Sequence, residues 1–267
     1  MGAKVITVTS GKGGVGKTTT SANLAVALAS LGYKVVCLDA DIGLRNLDVV
    51  LGLENRIVYD IVDIVEGRCR LKQAMIKDKR FPELFLIPAA QTRDKSALSP
   101  SDMIRICDEL RPEMDWIIID SPAGIERGFK NAIAPADIIL VITNPEVSAV
   151  RDADRIIGII ESEEKGPAHL VINRLNPALV KRGDMLTSED VIDLLAVDLV
   201  GIVPEDENVV ISTNKGQPIV LENSSKAGQA FMNIARRLNG ENVPLLNLDS
   251  KEGLFSMLGR MIKVGGR

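Results

Sequence analysis

Val5-Ile6-Thr7-Val8-Thr9-Ser10-Gly11-Lys12-Gly13-Gly14-Val15-Gly16-Lys17-Thr18-Thr19 decides the fold. Residues 5–10 read as a buried strand and residues 19–31 as a helix, so strand, glycine loop and helix follow the order of a phosphate-binding loop. Glycines let the backbone turn successive N–H groups and the helix N-terminus toward phosphate oxygens, where the helix dipole adds partial positive charge. Lys17 is expected to reach the β and γ phosphates, and the Thr18 hydroxyl to bind Mg²⁺. A turn that merely joined a strand to a helix would need neither side chain. The expected ATP contacts therefore begin with Gly11, Lys12, Gly13, Gly14, Val15, Gly16, Lys17, Thr18 and Thr19. Lys12 is an extra cation that such a loop does not need. It is either a solvated charge or a catalytic group supplied across a dimer interface to a partner's phosphates.

Working outward, Gly32 closes the first helix, and residues 35–39 form a second strand that ends in a carboxylate. Further strands are expected at 84–87, 116–120, 138–142, 169–173 and 199–203. Helices are expected near 101–110, 147–160, 188–195 and 225–238. Apolar strands alternating with helices predict an α/β fold: a mostly parallel twisted sheet covered by helices on both faces, the three-layer P-loop NTPase arrangement. Ligands of such sheets bind beyond the carboxyl ends of the strands, where the loop, Asp39, Asp120 and Asn173 all fall. The expected organisation is an ATPase domain over 1–239, a linker over 240–252 and a C-terminal amphipathic helix over 253–267.

The strand-end carboxylates divide the expected chemistry. Asp120, after Trp116-Ile117-Ile118-Ile119, is expected to hold Mg²⁺ through water opposite Thr18, with Asp39 as additional metal support. Ser121-Pro122-Ala123-Gly124 is expected to bring the Gly124 N–H near a γ-phosphate. Asp41 opens the loop Asp41-Ile42-Gly43-Leu44-Arg45-Asn46 and is assigned to orient the attacking water when that loop closes, which predicts slow hydrolysis by the isolated protein. Helix capping and solvated turns are the alternatives for these aspartates.

At 267 residues and 46% hydrophobic content the chain can bury one substantial core. A net charge of −4 argues against a surface built throughout for nucleic acid, leaving only a local basic patch for that use. Cys37, Cys69 and Cys107 lack CxxC spacing and are expected to be free thiols in a reducing compartment. The first strand starts too early for an export signal, and no apolar run approaches the roughly 18 residues of a spanning helix.

Lys12-Gly13-Gly14-Val15-Gly16-Lys17-Thr18-Thr19 resembles the deviant Walker A motif of the MinD/ParA group, which includes nitrogenase iron proteins and arsenite-pump ATPases. Asp39-Ala40-Asp41-Ile42-Gly43-Leu44-Arg45-Asn46-Leu47-Asp48, Asp120 to Glu126 and Val171-Ile172-Asn173-Arg174 extend the resemblance over essentially the whole chain. The resemblance implies an ATP-dependent sandwich dimer in which Lys12 acts across the interface. It also implies that Asn173 and Arg174 lie near adenine, with Pro204, Glu205 and Asp206 beside the base. Two protein partners are implied, the division inhibitor MinC and the activator MinE, on a shared surface that includes the helix of Arg151, Asp152 and Asp154. The role implied is a spatial switch in placing the division septum, at the cytoplasmic face of the membrane.

The C-terminal stretch supports a membrane role independently. At 100° per residue, Leu254, Phe255, Met257, Leu258, Met261, Ile262 and Val264 share one half of a helical wheel, while Ser256, Arg260 and Lys263 occupy the other. A basic amphipathic helix after a polar linker is expected to bind anionic lipid at its surface, Arg260 and Lys263 meeting the headgroups. A single tail binds weakly, at about 1 kcal/mol per basic residue. Two tails joined in a dimer gain about 10²- to 10⁴-fold in apparent affinity without new contacts. Two other readings compete. A DNA-partition ATPase needs a basic patch and has no use for this tail, and an iron–sulfur protein needs a cysteine after the Asp120 segment, where there is none. A C-terminal helix docked on the body is the alternative for the tail.

Overall fold

The continuously apolar runs become strands of one sheet. The structure is a computed structural model that describes residues 2–248, so the expected tail, from Leu254 through Lys263, lies outside the described residues. Eight strands run β1 (Lys4–Thr9), β2 (Val35–Asp39), β3 (Ile76–Lys77), β4 (Leu84–Ile87), β5 (Trp116–Asp120), β6 (Ile138–Thr143), β7 (Ala168–Leu175) and β8 (Asp198–Pro204). Their order across the sheet is β3-β4-β2-β5-β1-β6-β7-β8, parallel except for the antiparallel edge pair β3–β4. The described helices are α1 (Lys17–Ser30), α2 (Leu47–Leu51), α3 (Ile61–Val65), α4 (Leu71–Ala74), α5 (Pro100–Leu110), α6 (Arg127–Ile133), α7 (Val147–Ser162), α8 (Pro177–Arg182), α9 (Ser188–Leu195), α10 (Asn208–Asn214) and α11 (Lys226–Leu238).

Strand pleating sends neighbouring residues to opposite faces, and because both faces are covered, both sets are apolar. In β1, Ile6 and Val8 join the core beneath α1 and α11, whereas Val5 joins the core beneath α3 and α5. β5 divides in the same way, Ile118 to the first core and Ile117 and Ile119 to the second. A third core packs α6, α7 and α9 on β6 and β7 through Phe129, Ile156 and Leu170.

Helix starts follow local chemistry. Ser99 accepts the Asp102 N–H while the Asp102 carboxylate accepts the Ser99 N–H, with Pro100 in the first turn of α5. Thr187 and Asp190 form the same reciprocal box at α9. Residues 240–248, the described part of the expected linker, carry no helix or strand and are tied to the body. Arg237 donates to the carbonyls of Val200, Val243 and Pro244 at 2.8, 2.7 and 2.7 Å, and Leu246 packs on the first core.

Candidate nucleotide site

β1 lies inside the sheet between β5 and β6; the chain leaves β1 toward β2 on one side and leaves β5 toward β6 on the other, and at this change of direction the loop after β1 opens at the carboxyl edge. Gly14 and Gly16 take φ of +79° and +102°, backbone conformations that favour glycine and turn the loop into α1. Behind the loop, Asn173 donates from Nδ2 to the Val15 carbonyl at 2.7 Å, close enough to Gly16 that a β-carbon there would lie 2.3 Å from the amide. Asn173, expected beside a base, thus also braces the phosphate loop.

Lys17 is 8% exposed, and burial lowers its pKa against the opposing pull of Asp120 and Asp41. Thr18 Oγ1 donates to Asp120 Oδ2 at 2.7 Å, and Ser21 Oγ donates to Asp120 Oδ1 at 2.8 Å. Asp39 and Asp120 are register partners on adjacent strands, and both are nearly inaccessible. Burial raises both pKa values, and their mutual repulsion raises that of Asp39 further, against hydrogen bonds that favour each charged form. Asp39 accepts the Asp41 N–H through Oδ1 and the Asn46 and Leu47 N–H groups through Oδ2, so it also shapes the Asp41 loop and the start of α2.

The donor set fits Mg²⁺, whose protein sites use one or two carboxylates and complete the octahedron with water and substrate phosphates. Thr18 and Asp120, with Asp39 behind them, offer hard oxygen ligands and a surplus of buried negative charge. Among the described residues no cluster of three or more His, Cys, Asp or Glu side chains forms a cage.

Beside the loop, on the side where the base is expected, lies a cleft of about 320 Å³ whose lining includes Thr19, Asn173, Arg174, Pro204, Glu205 and Asp206. Glu205 Oε2 accepts from Asn176 Nδ2 at 2.8 Å, and Asp206 accepts from Ser225 Oγ and the Asn208 N–H, which fixes the segment after β8. Arg174 takes φ +56°, the left-handed region, at the cleft edge.

Two groups assigned to a nucleotide or a partner copy have partners within the chain. The Gly124 N–H, expected to face a γ-phosphate, donates to the Ser10 carbonyl at 3.2 Å, a bond permitted by the Gly124 φ of +89°. Lys12 Nζ donates to Ser148 Oγ at 3.2 Å on an exposed surface. Arg151 and Asp154 are exposed on α7, whereas Asp152 is half-buried and its backbone abuts Gly11.

Residues 6–219 match the family model for the CobQ/CobB/MinD/ParA nucleotide binding domain. The chain is 55% identical over 250 residues to the septum site-determining protein MinD of Bacillus subtilis, covering 93% of each chain. The chain belongs to the MinD family. MinD in the MinC:MinD cell division protein complex of Aquifex aeolicus superposes with a TM-score of 0.86 at 50% identity, over 92% of this chain and 99% of that one. MinD of Pyrococcus horikoshii complexed with Mg-ADP superposes at 0.80 with 29% identity, over 89% and 96% of the two chains.

Two residues of this MinD-family site were not anticipated from its motifs. Ser21 lies one helical turn beyond Lys17, and that i,i+4 spacing is the signal that points it toward Asp120. Ser148 has no local signal, since it meets Lys12 only because α7 packs beside the loop.

Proposed function

We propose that this chain is a peripheral membrane ATPase that works as a spatial switch in division-septum placement. ATP with Mg²⁺ binds at the glycine loop, two ATP-bound copies dimerise, the dimer binds anionic lipid through its tails and recruits MinC, and MinE-stimulated hydrolysis to ADP and phosphate releases it. The observation that carries this reading is the pair of loop lysines. Lys17 is buried toward Asp120, while Lys12 projects at the exposed rim with one hydroxyl partner, the arrangement needed by a cation that serves another copy's phosphates. Kinship with MinD of the MinC:MinD complex supports MinC as a partner, with Arg151, Asp152 and Asp154 of α7 assigned to the shared surface.

The site residues have separable tasks in this reading. The loop amides and Lys17 hold the β and γ phosphates, Thr18, Asp39 and Asp120 provide for the cation, and Asn173, Arg174 and the Pro204–Asp206 segment receive adenine. A cation held by Thr18, Asp39 and Asp120 would supply neutralisation of charge developing on the phosphates. Asp41 orients the attacking water from a loop whose shape depends on Asp39. No helix among the described residues is long and apolar enough to cross a membrane, so lipid binding is assigned to the amphipathic tail.

The test is sedimentation with anionic liposomes in ATP, ADP and a nonhydrolysable analogue, using the full chain and a version ending at Ser250. Binding that requires both a triphosphate and the tail is the expected result. Equal binding in ADP and ATP would refute the nucleotide coupling, and ATP-dependent binding to DNA without lipid binding would favour a partition ATPase.

A further inference from the structure

α10 is the wall of the nucleotide cleft that burial holds least. Within it only Ser212 is buried, and Val210 and Ile211 are 61% and 48% exposed, yet Val209 and Val210 line the base side of the cleft. So short a helix is unstable by itself, and its position must come from its attachments.

Its C-terminal attachment is a backbone contact between two glycines. Gly216 follows α10 with φ +62°, and Gly52 ends α2 with φ +67°. A β-carbon on Gly216 would lie 2.6 Å from the Gly52 Cα, and one on Gly52 would lie 2.9 Å from the Gly216 carbonyl oxygen. Arg80 fastens the two together. Its Nη1 donates to the Gly216 carbonyl at 2.8 Å and its Nη2 to the Leu51 carbonyl at 2.7 Å.

Arg80 is held in turn by Asp78, which is 2% exposed and accepts Nε at 3.2 Å and Nη2 at 2.8 Å. The Asp78 N–H donates to the Leu84 carbonyl at 2.9 Å, which anchors the clamp to the sheet edge. Burial alone would raise the Asp78 pKa, but hydrogen bonds and charge from Arg80 hold it below the ordinary carboxylate value, so the pair is ionised at neutral pH. At its other end α2 begins on Asp39, which accepts the Asn46 and Leu47 N–H groups. One guanidinium therefore joins the base-side helix to the segment that starts at the buried carboxylate.

We infer that Arg80 is a positioning residue for nucleotide binding: by clamping Gly216 onto Leu51 and Gly52, it holds α10 in place as the base-side wall of the cleft. The inference rests on the nucleotide reading of the site. The planar fork of arginine suits the task, since it meets a carboxylate and two diverging carbonyls at once, which a lysine ammonium on a flexible stem does not do.

The experiment uses the full chain, Arg80→Gln, Arg80→Lys and Gly216→Ala, the last displacing α10 through a steric clash instead of a lost hydrogen bond. Calorimetric titration with Mg-ATP and with Mg-tripolyphosphate, which has neither base nor sugar, separates the base wall from the phosphate loop. Affinity for ATP should fall about tenfold in Arg80→Gln and Gly216→Ala, while tripolyphosphate binding stays at the wild-type level. Arg80→Lys should recover only part of the loss. Unchanged ATP affinity, or equal losses for both probes, would overturn the positioning role, the latter by showing general loosening of the fold. A wild-type chain that binds neither probe would instead overturn the nucleotide reading.

Discussion

Adding one methyl group at Gly11 tests the packing of the phosphate loop on α7. A β-carbon there would stand 2.2 Å from the Asp152 carbonyl oxygen, 2.4 Å from its carbonyl carbon and 2.7 Å from its Cβ. A carbon-to-oxygen contact relaxes near about 3.3 Å, so loop and helix must part by about 1 Å. The obstacle is helix backbone, which cannot yield by changing rotamer. Moving α7 away also loosens Val150, Ala153, Ile156, Ile157 and Ile160, which its other face buries. Overpacking of this kind costs about 1–3 kcal/mol. In a domain of this size that lowers the melting temperature by about 2–12 °C. Gly11→Ala should melt lower by this amount in circular dichroism without nucleotide. Gly13→Ala is the internal control, because a β-carbon at Gly13 meets nothing within 4 Å, and its melting temperature should match the wild type. Gly11→Ala melting together with Gly13→Ala would refute the close approach and the argument built on it.

Two further outcomes follow from single contacts. Asn23, 1% exposed, accepts the Val220 N–H at 2.9 Å and donates to the Thr19 carbonyl at 2.8 Å. Asn23→Ala should leave the Val220 N–H buried and unpaired, a cost of about 1–3 kcal/mol readable as a lower urea midpoint. Asp137 accepts the Val5 N–H and two nitrogens of Arg111 at 2.8, 2.8 and 3.1 Å. Burial pushes its pKa up, but the hydrogen bonds from Arg111 and Val5 outweigh this and hold it below the ordinary value. A lowered folded-state pKa stabilises above the unfolded value of about 3.9, and that contribution is lost as pH falls through the folded value. The wild type should therefore lose stability below about pH 4 more steeply than Asp137→Asn, as measured by urea unfolding across pH 3–6.

The site was legible wherever local pattern and chemistry coincide. The apolar strands that carry Asp39, Asp120 and Asn173 at or near their carboxyl ends needed no tertiary information, because strands buried on both faces have a composition of their own. The short helices α2 and α10 left no such trace. Five and seven residues span at most about two turns, too few for a periodic signal, and their places depend on what they pack against. β3 was equally silent, since two residues carry no alternation and the strand exists only by pairing with β4.

The sequence assigned the Gly124 N–H to a γ-phosphate, and the family resemblance assigned Lys12 to a partner copy's phosphates. Within the single chain the first donates to the Ser10 carbonyl and the second to Ser148, partners supplied by a loop and a helix remote in sequence, which no local pattern foretells. By itself, then, the sequence determined the phosphate loop, the strand-end carboxylates, the α/β class and the basic amphipathic character of the tail, because each is written in neighbouring residues. Tertiary structure alone decided that Asn173 braces the loop from 158 residues away, that Gly11 lies against Asp152, and that Arg80 locks Gly216 to Gly52. These contacts join segments whose proximity is a property of the packed sheet, and no local propensity encodes it.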